Sequence, residues 1–225
     1  MPRTLLFAIA AAALAACTTT PPESTQTTAA TAMVEPSAAY RAPAPGTKLH
    51  LRTVVPGQDE AELTQLVLVT GNDYAIYANL LPDGLGGVED LFIEYSGLYW
   101  HDCGQPKLNA AQRAQLSGLW PLEPGNSTVL SSLGGDINEM TVTVEAARII
   151  ESGPLAGEQA FQISNRYDQV DYSTFVPARG LAARIDWGDK DSDQYDGYDE
   201  LMSSELVDLA DYQQFVALAR SACIP

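Results

Sequence analysis

From Lys48 onward, apolar residues recur in short runs with the spacing of strands. Lys48 to Val55 alternates, with Leu49 and Leu51 on one face, and stops at Pro56-Gly57. Leu63 to Thr70 and Tyr74 to Leu80 flank Gly71-Asn72-Asp73, a hairpin signature. Glu89 to Tyr95 is a fourth run. Thr141 to Ile150 then alternates through Val142 and Val144, and Gln159 to Tyr167 puts Phe161 and Ile163 on one face. Tyr172 to Val176, Leu181 to Trp187 and Leu201 to Val207 complete the set. Short strands with turn residues between them predict a mainly β protein built on an antiparallel sheet, either a half-barrel or a sandwich.

Two stretches take the helical period instead. Asn109 is placed to cap a short internal helix over 110–117, where Ala, Gln and Arg are good formers. Asp208 is the expected cap of a C-terminal helix, whose Tyr212, Phe215, Val216 and Ala219 fall on one face.

Upstream of Lys48 the pattern changes. Met1-Pro2-Arg3-Thr4 carries one positive charge and precedes an apolar run from Leu5 to Ala16. That run is too short to span a bilayer permanently and suits the core of an export signal. It ends in Leu14-Ala15-Ala16-Cys17, which resembles the lipobox of bacterial lipoproteins. The resemblance implies that residues 1–16 are removed, that Cys17 takes a diacylglycerol on its sulfur, and that its new amino terminus is acylated, with palmitate as the expected acyl group. In Gram-negative members of that family, Asp directly after the cysteine favours inner-membrane retention. Thr18 stands there, so the outer membrane, facing the periplasm, is expected.

Residues 17–47 are rich in Thr, Pro, Ala and Ser, with almost no large apolar side chains. Such a stretch cannot bury enough surface to offset its ordering entropy and reads as a disordered tether. The folded part is expected over 48–225 as one domain. Leu119-Trp120-Pro121-Leu122 and the β-rich stretch after it resemble uncharacterised envelope lipoproteins of antiparallel β architecture.

Charge narrows the partners. With 29 Asp and Glu against 12 Lys and Arg, the formal net charge is −17. Phosphate backbones would be repelled, so nucleic acid is excluded. Anionic headgroups would be repelled too, which leaves membrane attachment to the lipid. Once Cys17 is lipidated, two cysteines remain in an oxidising compartment, and Cys103 and Cys223 are expected to pair.

Candidate chemistry is sparse. His50 sits in an alternating strand, where a structural role is expected. His101-Asp102-Cys103 juxtaposes imidazole, carboxylate and thiol, but a bonded Cys103 offers no thiolate. No catalytic residue and no cofactor are assigned. From Asp186 to Glu200, seven of fifteen residues are acidic. Counted from Asp189, carboxylates at Asp189, Asp191, Asp193 and Glu200 match the spacing of a calcium-binding helix–loop–helix loop. Gln194 stands where that loop needs Gly, and the flanks read as strands, so a solvated, mobile acidic turn with little calcium affinity is expected. The function expected is therefore a non-enzymatic binding or structural module, with an apolar ligand such as an acyl chain held by a curved sheet. An adaptor recruiting another envelope protein is the alternative, and a hydrolase comes last.

Overall fold

A computed structural model describes residues 39–81, 87–134, 137–188 and 195–224. Eleven strands form one antiparallel sheet in the order β5-β4-β3-β2-β1-β11-β10-β9-β8-β7-β6. They are β1 (Thr47–Val54), β2 (Ala61–Thr70), β3 (Tyr74–Leu80), β4 (Val88–Tyr95), β5 (Tyr99–Asp102), β6 (Ser127–Gly134), β7 (Ile137–Ile149), β8 (Gln159–Arg166), β9 (Val170–Val176), β10 (Leu181–Trp187) and β11 (Gly197–Leu206). The expected β2–β3 hairpin forms, with Thr70 opposite Ala75. The first and last strands meet in the middle of the sheet, where β1 pairs with β11.

The sheet curls on itself. Phe92 and Glu94 of β4 line the same gap as Leu181, Ala183 and Ile185 of β10, although four strands lie between them in the order. The β4–β5 turn crosses to β8 and β9. Asn165 Nδ2 donates to the Leu98 carbonyl at 3.2 Å. At Gly97 a Cβ would lie 2.3 Å from the Phe175 ring, and φ is +72°, so both the space and the backbone require glycine there.

Both expected helices are present. α1 (Ala110–Ser117) has a reciprocal cap: Asn109 Oδ1 accepts from the amides of Ala111 and Gln112, while Gln112 Oε1 accepts from the Asn109 amide at 2.7 Å. Gln112 Nε2 also donates to the Ser131 carbonyl at 2.7 Å, which ties α1 to β6. Asp208 caps a 3-10 turn (Leu209–Tyr212) rather than α2 itself (Gln213–Cys223). α2 buries Val216, Ala219 and Cys223 at helical spacing and packs on β2, β3 and β4. Cys103 and Cys223 are joined in a disulfide, with Cα atoms 4.8 Å apart.

Residues 39–46, expected to belong to the disordered tether, are docked on the fold. Gly46 donates to the Val67 carbonyl at 2.8 Å and accepts from the Val207 amide at 2.9 Å. The Arg41 carbonyl lies against Gly180, and Tyr40 packs on Trp120 and Phe175, with ring centroids 6.0 and 6.4 Å away. Composition points to a tether because it averages over thirty residues, whereas a half-buried aromatic at Tyr40, a buried Pro43 and the backbone bonds of Gly46 are enough to hold these eight.

Candidate functional site

Inside the curl, one wall is aromatic. Tyr77 and Phe92 stack at 5.1 Å with parallel rings, and Trp100 meets Phe92 edge-on at 6.3 Å. Their strands explain the placement: Tyr77 faces Phe92 across the β3–β4 register, and Glu94 faces Trp100 across β4–β5. The opposite wall is aliphatic, from Leu49, Leu51, Leu181, Ala183, Ile185 and Leu201. Between the walls the gap is only about 30 Å³.

Two carboxylates sit in this apolar setting. Glu94 is 9% exposed and Asp199 is 4% exposed. Burial pushes Glu94 up from its ordinary 4.5 to about 7, against the opposing pull of the Tyr40 hydroxyl, which donates to Glu94 Oε1 at 3.1 Å. Burial also raises Asp199, whose Oδ1 accepts from Thr53 Oγ1 at 2.5 Å. Tyr40 and Tyr77 are both pushed far above the ordinary phenol range, first by burial and then by the Glu94 charge. Burial therefore favours the neutral forms of these groups, and apolar and aromatic surface surrounds them.

Other residues singled out in the sequence are dispersed or already engaged. Cys17, Asp189, Asp191 and Asp193 lie outside the described residues. Glu200, on β11, is paired with Arg52, which also reaches Glu60 at 3.7 Å. His50 lies at the surface, 3.5 Å from Glu205. His101 Nδ1 meets the Tyr99 hydroxyl at 3.1 Å, and Nε2 meets the Pro106 carbonyl at 2.8 Å. A carbonyl can only accept, so Nε2 carries the proton and Nδ1 accepts from Tyr99. Burial lowers the His101 pKa, which agrees with a neutral ring. Cys103 is in the disulfide and both ring nitrogens of His101 are engaged, so these three residues do not form an imidazole-activated thiol. Among the described residues, no group of three or more His, Cys, Asp or Glu is arranged to hold a metal ion, and no helix is long and apolar enough to cross a membrane.

Tyr40 and Glu94 escape sequence reasoning for different reasons. Tyr40 is embedded in Ala, Pro and Ser. Glu94 is one acid in an acidic chain, and only its place in Phe92-Ile93-Glu94-Tyr95 hints that it sits among buried neighbours.

No protein-family profile matches the chain, and no curated protein matches it in sequence. Among solved structures, the distant likenesses include the following two. A candidate lipoprotein of Parabacteroides distasonis is similar over 75% of this chain and 99% of its own, at 11% identity and a TM-score of 0.34. A LolA-superfamily protein of Nitrosomonas europaea is similar over 78% of this chain and 91% of its own, at 12% identity and a TM-score of 0.30. Likeness at this level carries no argument about function.

Proposed function

We propose that the chain is a lipid-anchored module of the cell envelope, facing the periplasm from the outer membrane, whose folded part binds an apolar ligand without catalysis. The anchor rests on Leu14-Ala15-Ala16-Cys17. Cys17→Ser is expected to remain an uncut precursor that takes up no labelled fatty acid. Normal cleavage of that variant would end the lipoprotein reading.

One observation carries the ligand: an aromatic and aliphatic interior whose neighbouring Tyr40–Trp120–Phe175 cluster is closed by a side chain from a terminal segment. Small-molecule sites hold about 300–1,000 Å³, far more than the gap left between the walls. Room for an acyl chain would come from undocking Tyr40. Residues 39–45 form no strand, and the backbone bonds to Val67 and Val207 are made by Gly46, so release of Tyr40 and its neighbours up to residue 45 leaves the sheet ladders intact. Such a segment belongs to the low-stability end of a fold, where ligand-gating elements are found.

The test compares wild type with Tyr40→Ala. Both full chains are extracted in detergent and desalted, and their non-covalent lipids are measured by mass spectrometry after solvent extraction. The variant is expected to carry more acyl-bearing molecules per chain. Equal, trace amounts in both would remove the apolar ligand from the proposal.

A further inference from the structure

Where the curled sheet fails to close, its two ends face one another across a cleft of about 400 Å³. β5 supplies Tyr99 and Trp100 to one wall, and the other wall contains Asn165, Tyr167 and Asp171. The volume lies within the range of small-ligand sites.

Asn165 is the informative residue. It is 6% exposed, and its Nδ2 is held by the Leu98 carbonyl at 3.2 Å. Its Oδ1 is buried and has no partner among the described residues. A buried acceptor left unpaired is costly, and Asn165 belongs to the cleft wall, so a donor that reaches past that wall would satisfy it.

The neighbouring groups are held in place by one another. Tyr167 donates to Asp171 Oδ2 at 2.7 Å, and Gln169 Nε2 donates to the Tyr167 hydroxyl at 2.8 Å and to Asp171 Oδ1 at 3.1 Å. The Gly188 amide adds a further bond to Asp171 Oδ1 at 2.9 Å. Tyr99 and His101 are fixed by the relay to Pro106. Fixed rotamers are what a binding surface needs, because little side-chain freedom is then lost on binding.

This inventory selects a ligand class. Among the described residues no Lys or Arg lines the cleft, so an anion finds no counter-charge there. Asp171 already accepts three hydrogen bonds, and Asp102, the other carboxylate of the cleft, accepts from the Gly104 amide, so both are engaged within the fold. The unmet need is for hydroxyl or amide donors to Asn165 Oδ1, in a cleft whose lining includes the aromatic residues Tyr99, Trp100 and Tyr167. A sugar ring offers both: O–H donors around its edge and an apolar C–H face that packs on an aromatic ring.

We propose that the cleft between β5 and β8–β9 binds a neutral saccharide, with Asn165 Oδ1 accepting from a ring hydroxyl and the Trp100–Tyr167 aromatic surface packing on the C–H face. The cleft shares Trp100 with the aromatic wall of the interior, whereas Asn165, Tyr167 and Asp171 line the cleft and not the interior gap.

The experiment is calorimetric titration of the full chain, in a zwitterionic detergent free of sugar headgroups, with glucose, N-acetylglucosamine, cellobiose and chitobiose. At least one should bind with a Kd at or below the millimolar range, and Asn165→Leu should weaken it about tenfold. In parallel, the indole N–H resonance of Trp100 in the wild-type chain should shift on addition of that sugar, while those of Trp120 and Trp187 stay put. This readout holds even if the variant fails to fold. The proposal is overturned if no sugar binds, if putrescine binds where sugars do not, if a folded Asn165→Leu binds as tightly as wild type, or if Trp100 is unmoved.

Discussion

Removing the Cys103–Cys223 disulfide is expected to cost about 5 kcal/mol, the largest single effect in the molecule. The two cysteines are 120 residues apart in sequence. In the chain-entropy account, closing a loop of that length removes about 5 kcal/mol of unfolded-state freedom at room temperature. For a domain of this size that corresponds to a fall of about 10–20 °C in Tm. The loss should be uneven. α2 is held on β2–β4 by Val216, Ala219 and the bridge, and it pairs with no strand of the sheet. Amides of α2 in Cys103→Ala/Cys223→Ala should therefore exchange faster than those of β2 and β3, beyond the global loss. Thermal melts and hydrogen exchange on the oxidised wild type and the double variant provide the comparison. A Tm change of only a degree or two would mean that the helix packing, and not the bridge, keeps α2 in place.

The pairing of those cysteines is legible in the sequence because it needs only a count and a compartment. Strands are legible where period-two alternation puts large residues on a buried face, as in Leu49 and Leu51 or Val142 and Val144. β6 is not: Ser127–Gly134 buries only Leu130 and Leu133, and its remaining positions are Ser, Thr, Val and Gly exposed to different degrees. β5 is not either, since Tyr99–Asp102 is four residues long and its burial comes from partners on β4 and across the curl. Strand order is out of reach for a related reason. Nothing local tells Thr47–Val54 that it pairs with Gly197–Leu206, because that ladder joins segments about 150 residues apart.

The candidate sites are less legible than the fold. Asn165 reads in sequence as a polar residue near the end of a strand. Its significance arises from a turn 67 residues away taking its amide nitrogen and leaving its oxygen without a donor. Tyr40 reads as part of a Pro- and Ala-rich tether, and acquires a role only because the curl brings Glu94, Trp120 and Phe175 to one place. Both are products of the curl of the sheet, which hydropathy along a single strand does not encode.

Glu94→Gln is expected to stabilise the protein by about 3 kcal/mol above neutral pH and to change little in acid. The buried carboxyl has its pKa raised from 4.5 to about 7, first by desolvation, with the Tyr40 hydrogen bond pulling the other way. Below about pH 4.5, folded and unfolded chains both hold the proton, so this group adds no penalty. Between 4.5 and 7 the unfolded chain releases the proton while the folded chain keeps it, and stability falls by about 1.4 kcal/mol per pH unit. Above 7 the folded state carries a buried anion and the loss levels off at about 3 kcal/mol. Gln cannot ionise, and its Oε1 can still accept from Tyr40, so the variant should lack this slope. Asp199 lines the same gap and is shifted the same way, so a residual slope should persist in the variant and identify its share. Tyr40→Phe removes the bond that favours the anion, which raises the pKa further and carries the fall in stability to higher pH. Urea unfolding of the three proteins from about pH 4 to pH 9 would show these displacements. Parallel curves for wild type and Glu94→Gln would mean that Glu94 is solvated in solution, and the closed, aromatic interior proposed for the ligand would lose its main electrostatic signature.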